Sequence, residues 1–507
     1  MIKGPFQSHP SFLSNNGLVD TRPFAPKIWD QLPPEVQAYI LVLEEALGQA
    51  LERIAQLEQK VMELEARLNR TSSNSSQPPS QDPPQTPKKA KREKSGRSPG
   101  GQPGHQGNHR EFLPPEKVDH ILEYQAEICP QCHSPVAESL AGRVTPVQRH
   151  QVWELPEIQP VVTEHRLVAG WCHHCRLWVK PELPAAVGKS AFGPRLQAWA
   201  AILTGRFRLS RRQVSELFGE LCGVEVSLGS IQTLCEETSE ALAVPYQEVK
   251  EAVAPADVAF VDETGWKEQA KRHWLWVAVT RWATVFMISC SRGRKALMEL
   301  LGEGFVGILH SDRWGAYNIV DSLRRQLCWA HLKRDFQALS ERKTRAGPLG
   351  KWGLREIKRL FAIWHRYQDG EITWDGMRWE LVPVRSRLGK LLRRGASCGD
   401  SKAEALCRNL LKLWPALLTF AFVPGVEPTN NRAERALRAA VLWRKGCFGN
   451  QSSNGSRFTE RILTTVATLR QQDRNIVEYV VEAIRAHRSG NLAPPLLPVA
   501  PVIKDAA

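Results

Sequence analysis

Val258-Ala259-Phe260-Val261-Asp262-Glu263-Thr264-Gly265-Trp266 is an apolar run that ends on two adjacent acids. Its first four residues read as a strand, and strand alternation sends Asp262 and Glu263 to opposite faces, so only one of them points into any given site. Trp274–Thr280 and Thr284–Cys290 read as the next two strands, separated by Arg281-Trp282. Phe305–His310 reads as a further strand, ending just before Asp312. Helices then dominate to about Ala421, one of them with Ile357, Leu360, Phe361 and Trp364 on a single face. A polar segment through Pro424 and Pro428 precedes Asn430, where another helix begins, with Asn430 and Asn431 as its caps and Glu434 in its first turns.

Asp262, Asp312 and Glu434 thus come from two strand ends and one helix start. Three such carboxylates can converge on two Mg²⁺ or Mn²⁺ ions about 4 Å apart, which activate the attacking oxygen and stabilise the leaving oxygen of an in-line phosphoryl displacement. No spacing rule selects these three acids by itself. His331, in a helix beginning near Cys328, is a secondary candidate for touching a phosphate or a metal-bound water. Glu427 is a weaker alternative to Glu434, because Pro428 makes its backbone loop-like.

Cys129-Pro-Gln-Cys132 and Cys172-His-His-Cys175 are two C-x-x-C pairs. Four thiolates on two such turns can surround Zn²⁺ tetrahedrally, and a closed four-ligand site is structural because it leaves no position for a substrate. Short β-branched and aromatic runs, Val144–Glu154 and Val161–Trp171, make residues 112–184 a small β module around these cysteines. The other seven cysteines sit among apolar neighbours and read as buried thiols.

Upstream, Val36, Ile40, Leu43, Leu47, Ala50, Ile54, Leu57, Val61, Leu64 and Leu68 alternate spacings of four and three. That seam predicts a coiled coil over 36–70, and so a dimer, since so narrow a stripe needs a partner helix. Residues 71–111 are rich in Ser, Gln, Pro and Gly and read as a disordered linker. Within it Lys88, Lys89, Lys91 and Arg92 form a basic run suited to DNA phosphates. From 193 to 250 the pattern is helical. Ser210-Arg211-Arg212 opens one helix, Gly223 breaks it, and Ser227 or Ser230 caps the next, as in a helix-turn-helix.

The 507 residues carry 68 Lys and Arg against 53 Asp and Glu, a net charge of +15 that favours a polyanionic partner. No apolar leader and no stretch of about 18 apolar residues is present, so the chain reads as cytoplasmic and without a membrane partner.

Several segments resemble, in order, the IS66-type insertion-sequence transposases. These are the leucine-rich helix, Asn74–Ser80, Gly100–His105, the paired C-x-x-C module, Val261–Thr264, Ser311-Asp312 with Gly315-Ala316-Tyr317, Cys328–Arg334, Asn430–Arg435, Trp443–Lys445 and Phe448-Gly449. Arg313-Trp314 departs from the Gly-Tyr-like pair that many relatives carry after the second Asp. The resemblance implies a DDE transposase with an α/β RNase H-like core: a five-stranded mixed sheet with helices, Asp262 on the central strand, and a helical insertion. Asp262, Asp312 and Glu434 would be the catalytic acids, binding two Mg²⁺ or Mn²⁺, and Zn²⁺ would be structural. The domains expected are a tail (1–35), the coiled coil (36–70), the linker (71–111), the zinc module (112–184), the helix-turn-helix-like region (193–250), the core (256–337 and 426–486), the insertion (338–425) and a flexible tail (487–507). DNA, as terminal inverted repeats and as target, would be the partner, contacted also by Arg211, Arg212, Arg435, Arg438, Arg444 and Lys445. Relatives are often encoded beside accessory proteins. A nuclease without strand transfer shares this chemistry. A catalytically inactive, transposase-derived DNA-binding protein is the alternative from the binding class. A zinc adaptor would leave the residues after Ala256 without a purpose.

Overall fold

The computed structural model describes residues 26–69, 110–124, 127–136, 149–188 and 190–498, in two compact units, Met1–Pro87 and Lys88–Ala507. The basic run at 88–92 and the segments 74–80 and 100–105 lie outside the described residues.

In the first unit, α1 (Pro26–Trp29) precedes α2 (Pro34–Leu68), a helix about 50 Å long at 1.5 Å per residue. The predicted seam runs along α2 without a partner: Leu47, Ile54, Leu57 and Leu64 are all exposed.

The second unit begins with irregular chain. Among the described residues, β1 (Gly170–Cys172) and β2 (Leu177–Val179) form the one ladder there, pairing Cys172 with Leu177, beside an isolated bridge between Ile128 and Pro135. The strands expected over Val144–Glu154 and Val161–Trp171 are not formed in the described residues beyond β1. Val161 and Val162 are 95% and 87% exposed and belong to no ladder among the described residues. β-branched residues favour extended backbone, but a strand exists only where another edge accepts its hydrogen bonds.

Four helices follow: α3 (Pro194–Gly205), α4 (Arg211–Cys222), α5 (Leu228–Ala241) and α6 (Ala243–Glu251). Ser210 and Gln213 form a capping box on α4, Gly223 ends it in the left-handed region (φ 62°), and Ser227 caps α5. The predicted helix–turn–helix is therefore built. Its second helix, however, contains three Glu and no Lys or Arg, exposes Glu236 and Glu240, and packs on α3 and on two later helices. Arg211 and Arg212 are exposed at the start of α4.

The core sheet is β3 (Val258–Glu268), β4 (Lys271–Val279), β5 (Thr284–Ser289), β6 (Ile308–Ser311) and β7 (Arg325–Leu327), in the order β5-β4-β3-β6-β7. β3, β4 and β5 are antiparallel, whereas β6 and β7 run parallel to β3. α7 (Arg294–Leu301) links β5 to β6. α8 (Trp329–Ser340), α9 (Ala346–Gln368), α10 (Trp374–Gly395) and α11 (Ser401–Lys412) form the insertion, and α12 (Asn431–Cys447), α13 (Ser453–Gln471) and α14 (Ile476–Arg488) close the unit. The insertion has its own apolar core, which starts earlier than residue 338: Leu327, Trp329, Leu332 and Phe336 belong to it.

Edge strand β5 is sealed by α13. The backbone N–H groups of Thr284, Phe286 and Ile288 donate to Thr468 Oγ1, Thr464 Oγ1 and Glu460 Oε1. Two residues along a strand and four along a helix both advance about 6–7 Å, so one helix face can serve every second strand N–H. The exposed edge is thereby removed as a pairing template.

Candidate active site

The parallel register of β3 and β6 pairs Phe260 with His310. Two residues further on come Asp262, still in β3, and Asp312, just past the end of β6, and the charge of Asp312 acts on the Asp262 carboxyl. Gly307 permits this closeness: a Cβ there would lie 2.1 Å from the Ala256 carbonyl oxygen. Asp262 Oδ1 accepts from the Glu263 N–H (2.9 Å), and Asp312 Oδ1 accepts from the Trp314 N–H (2.8 Å).

Glu434 arrives on the first turn of α12. The expected side-chain cap is not what starts that helix. Asn430 makes no cap bond; its Nδ2 donates to the Val261 carbonyl (2.7 Å), and its N–H donates to Cys328 Sγ (3.2 Å). The start of α12 is thereby pinned to β3, one residue before Asp262. Glu434 Oε1 lies 3.5 Å from His331 Nδ1 and 3.9 Å from an Arg334 nitrogen.

The electrostatics of this cluster are those of acids without enough counter-charge. Burial, then the negative charges of Glu263 and Asp312 and that of Glu434, push the Asp262 carboxyl well above the usual carboxylate range. Burial also raises Glu434, against the opposing pull of Arg334. An all-oxygen set of this kind suits hard divalent cations, whose charge would reverse the repulsion.

Glu263 is engaged by other partners than the three acids. It pairs with Arg292 (2.7 Å) and accepts from the Tyr317 hydroxyl. The Arg292 guanidinium lies between the Trp274 and Trp314 rings, 4.7 and 4.3 Å from their centroids. Arg325 is fully buried and donates to Ser311 Oγ, to the Asp312 carbonyl and to Asn318. It fixes the turn that presents Asp312. Arg313 is held by Asp335 (2.7 Å). None of these supporting residues was legible in spacing, because the partners lie anywhere from 7 to 54 positions away, at no fixed interval.

Of the cations proposed for DNA, Arg435, Arg438 and Lys445 are exposed on α12. Arg444 is not free: it donates to Thr264 Oγ1 (2.9 Å) and to the Gly265 carbonyl, so it ties α12 to β3. Glu427 is engaged by Arg432 (2.9 Å).

The cysteine pairs form two matching turns. His133 N–H donates to the Cys129 carbonyl and Arg176 N–H to the Cys172 carbonyl, and His133 and Arg176, each directly after the second cysteine, are left-handed at φ 56° and 53°. Backbone N–H donors at Ser134 and Cys175 lower the Cys132 and Cys172 thiols respectively. Each half is thus shaped for a thiolate ligand pair. Among the described residues, the group of three potential ligands whose atoms all lie within 4.8 Å of one another is elsewhere, at Cys328, His331 and Glu434.

Comparison with known proteins bears on the same segment. Residues 30–111 match a family of unknown function. The chain is 25% identical over 350 residues to the uncharacterized protein y4hP of Sinorhizobium fredii, an alignment that takes in 60% of this chain and 61% of that relative. The family described as "Transposase IS66 family" matches residues 189–457, more than half of the chain, including the sheet, Asp262, Asp312 and Glu434. On that match, the chain belongs to the IS66 family of transposases.

Proposed function

We propose that this chain is a DDE-type DNA transposase with an RNase H-like core, and that Asp262, Asp312 and Glu434 are its catalytic acids. The observation that carries the reading is the convergence of the first two acids on adjacent parallel strands, with the helix of the third pinned to the same strand through Asn430. The strand order, with the first acid on the central strand, supports the core assignment.

Two Mg²⁺ or Mn²⁺ ions held by these acids would activate the attacking oxygen and stabilise the leaving oxygen. The protein's part is to bring three carboxylates to one place, where bound cations would keep them ionised. Trp314 N–H and Arg325 orient Asp312, Asn430 and Arg444 hold α12 against β3, and exposed Arg435, Arg438 and Lys445 offer phosphate contacts. Water attacks first, freeing a 3′-hydroxyl at the end of the element; that hydroxyl then attacks target DNA. Purified protein with Mg²⁺ should nick duplexes carrying the inverted repeats and join them to a second DNA. Wild-type activity in Asp262→Asn, Asp312→Asn and Glu434→Gln alike would refute the assignment.

The unpartnered seam of α2 supports dimerisation through a second copy of that helix. Deleting residues 1–69 is expected to shift the protein to a smaller oligomer in sedimentation velocity; an unchanged size would count against the coiled coil. The paired turns support a structural zinc shared by Cys129, Cys132, Cys172 and Cys175. Cys129→Ser is expected to lower zinc content by about one ion per chain, read by elemental analysis. No helix among the described residues is long and apolar enough to cross a membrane.

A further inference from the structure

We propose that Cys328, His331 and Glu434 form a binding site for one soft divalent cation of the Zn²⁺ type, which shares Glu434 with the all-oxygen site of the catalytic ions. Their ligand atoms lie within 4.8 Å of one another. Thiolate, imidazole and carboxylate would fill three positions of a tetrahedron and leave the fourth open, a donor set that hard Mg²⁺ does not favour and Zn²⁺ does.

The site is built by local structure. Cys328 is the N-cap of α8, and His331 lies three residues on, so the first turn brings both side chains to one face. Glu434 is delivered from α12, whose first residue is anchored through the Asn430 N–H to the same Cys328 sulfur. The arrangement is closed on the sulfur side, where Cys328 is 1% exposed. On the other side it is open: the His331 and Glu434 side chains are 24% and 37% exposed. An ion would therefore enter past the imidazole and carboxylate and meet the sulfur last.

Unmet polar capacity marks the same spot. His331 Nδ1 is buried without a hydrogen-bond partner, and so is the side-chain oxygen of Asn430, itself 1% exposed. Forming the sulfur–metal bond would release the thiol proton to solvent.

The consequence for catalysis rests on Glu434 being the third catalytic acid. A soft ion held by Cys328 and His331 would take that carboxylate out of the oxygen set, so Zn²⁺ would oppose a reaction that needs Mg²⁺ or Mn²⁺. The test does not use DNA cutting, so its failure and the failure of that reading are told apart. The full chain, stripped of metal, is titrated with Co²⁺, and the thiolate-to-cobalt charge-transfer absorbance and the bound equivalents are read. Cys328→Ser and His331→Gln are each expected to bind one Co²⁺ fewer than wild type. Cys328→Ser should also lose one thiolate's share of the charge-transfer band, while the contribution of the paired cysteines cancels in the comparison. His331 is partly exposed, so its variant checks the result if Cys328→Ser folds poorly. Wild-type cobalt stoichiometry in both variants would overturn the proposal.

Discussion

Asp262→Asn is expected to abolish metal-dependent DNA cutting and, in the absence of metal, to make the protein more stable than wild type. The first effect follows from the removal of a ligand shared by the catalytic ions. Loss of residues that merely orient a ligand already costs about 10–100-fold, so losing the ligand should cost more than ~100-fold. The second effect follows from the sign of the perturbation. The Asp262 carboxyl is raised in the folded chain, chiefly by burial and then by its acidic neighbours. Below the ordinary carboxylate value both states are protonated and nothing is lost. As pH rises past that value the unfolded chain ionises first, and folding becomes less favourable up to the folded value. At neutral pH wild type carries this penalty and the Asn variant does not. In EDTA the variant should melt higher at pH 7, and the gap should close at acidic pH. At this domain size each kcal/mol of relief corresponds to about 2–4 °C. Added Mg²⁺ should raise the wild-type midpoint and leave the variant nearly unmoved. A variant that melts lower than wild type at pH 7 without metal would show that the acids do not repel one another as described.

Gly307→Ala carries the second large effect, at a residue that touches no substrate. The new Cβ would lie 2.1 Å from the Ala256 carbonyl oxygen and 2.6 Å from that of Asp257. Both belong to backbone leading into β3, which cannot swing aside as a side chain could. β6 must move away from β3, and Asp312 moves with it. Overpacking a tight site costs about 1–3 kcal/mol, and a backbone collision belongs at or above the upper end. Denaturant unfolding should read a loss of about 3 kcal/mol. Cutting should fall further than the folded fraction does, because a misplacement of about 1 Å at a reacting centre costs on the order of 100-fold. A variant with wild-type stability would mean that β3 and β6 are not packed as closely as their register places them.

The sheet was legible because it depends on local pattern, whereas the three acids were singled out by the family resemblance. The apolar run before Asp262 marks a strand, and the Asn430–Arg438 segment marks a helix start. The supports of the site were not legible, because they are set by contacts across the fold. Asn430 has the composition of a cap, yet its amide spans to Val261, 169 positions away. Arg444 has the look of a solvated cation, yet it is consumed by Thr264 and Gly265. The strands of the cysteine module were overread for the opposite reason: β-branched runs favour extended chain, but among the described residues most of that chain joins no ladder.

The most direct test of the central claim is the number of Mn²⁺ ions bound per chain in the presence of DNA carrying the element ends, read by electron paramagnetic resonance. The account predicts two ions in wild type and a loss of binding in Asp262→Asn and in Asp312→Asn. Equal Mn²⁺ binding by wild type and both variants would contradict it.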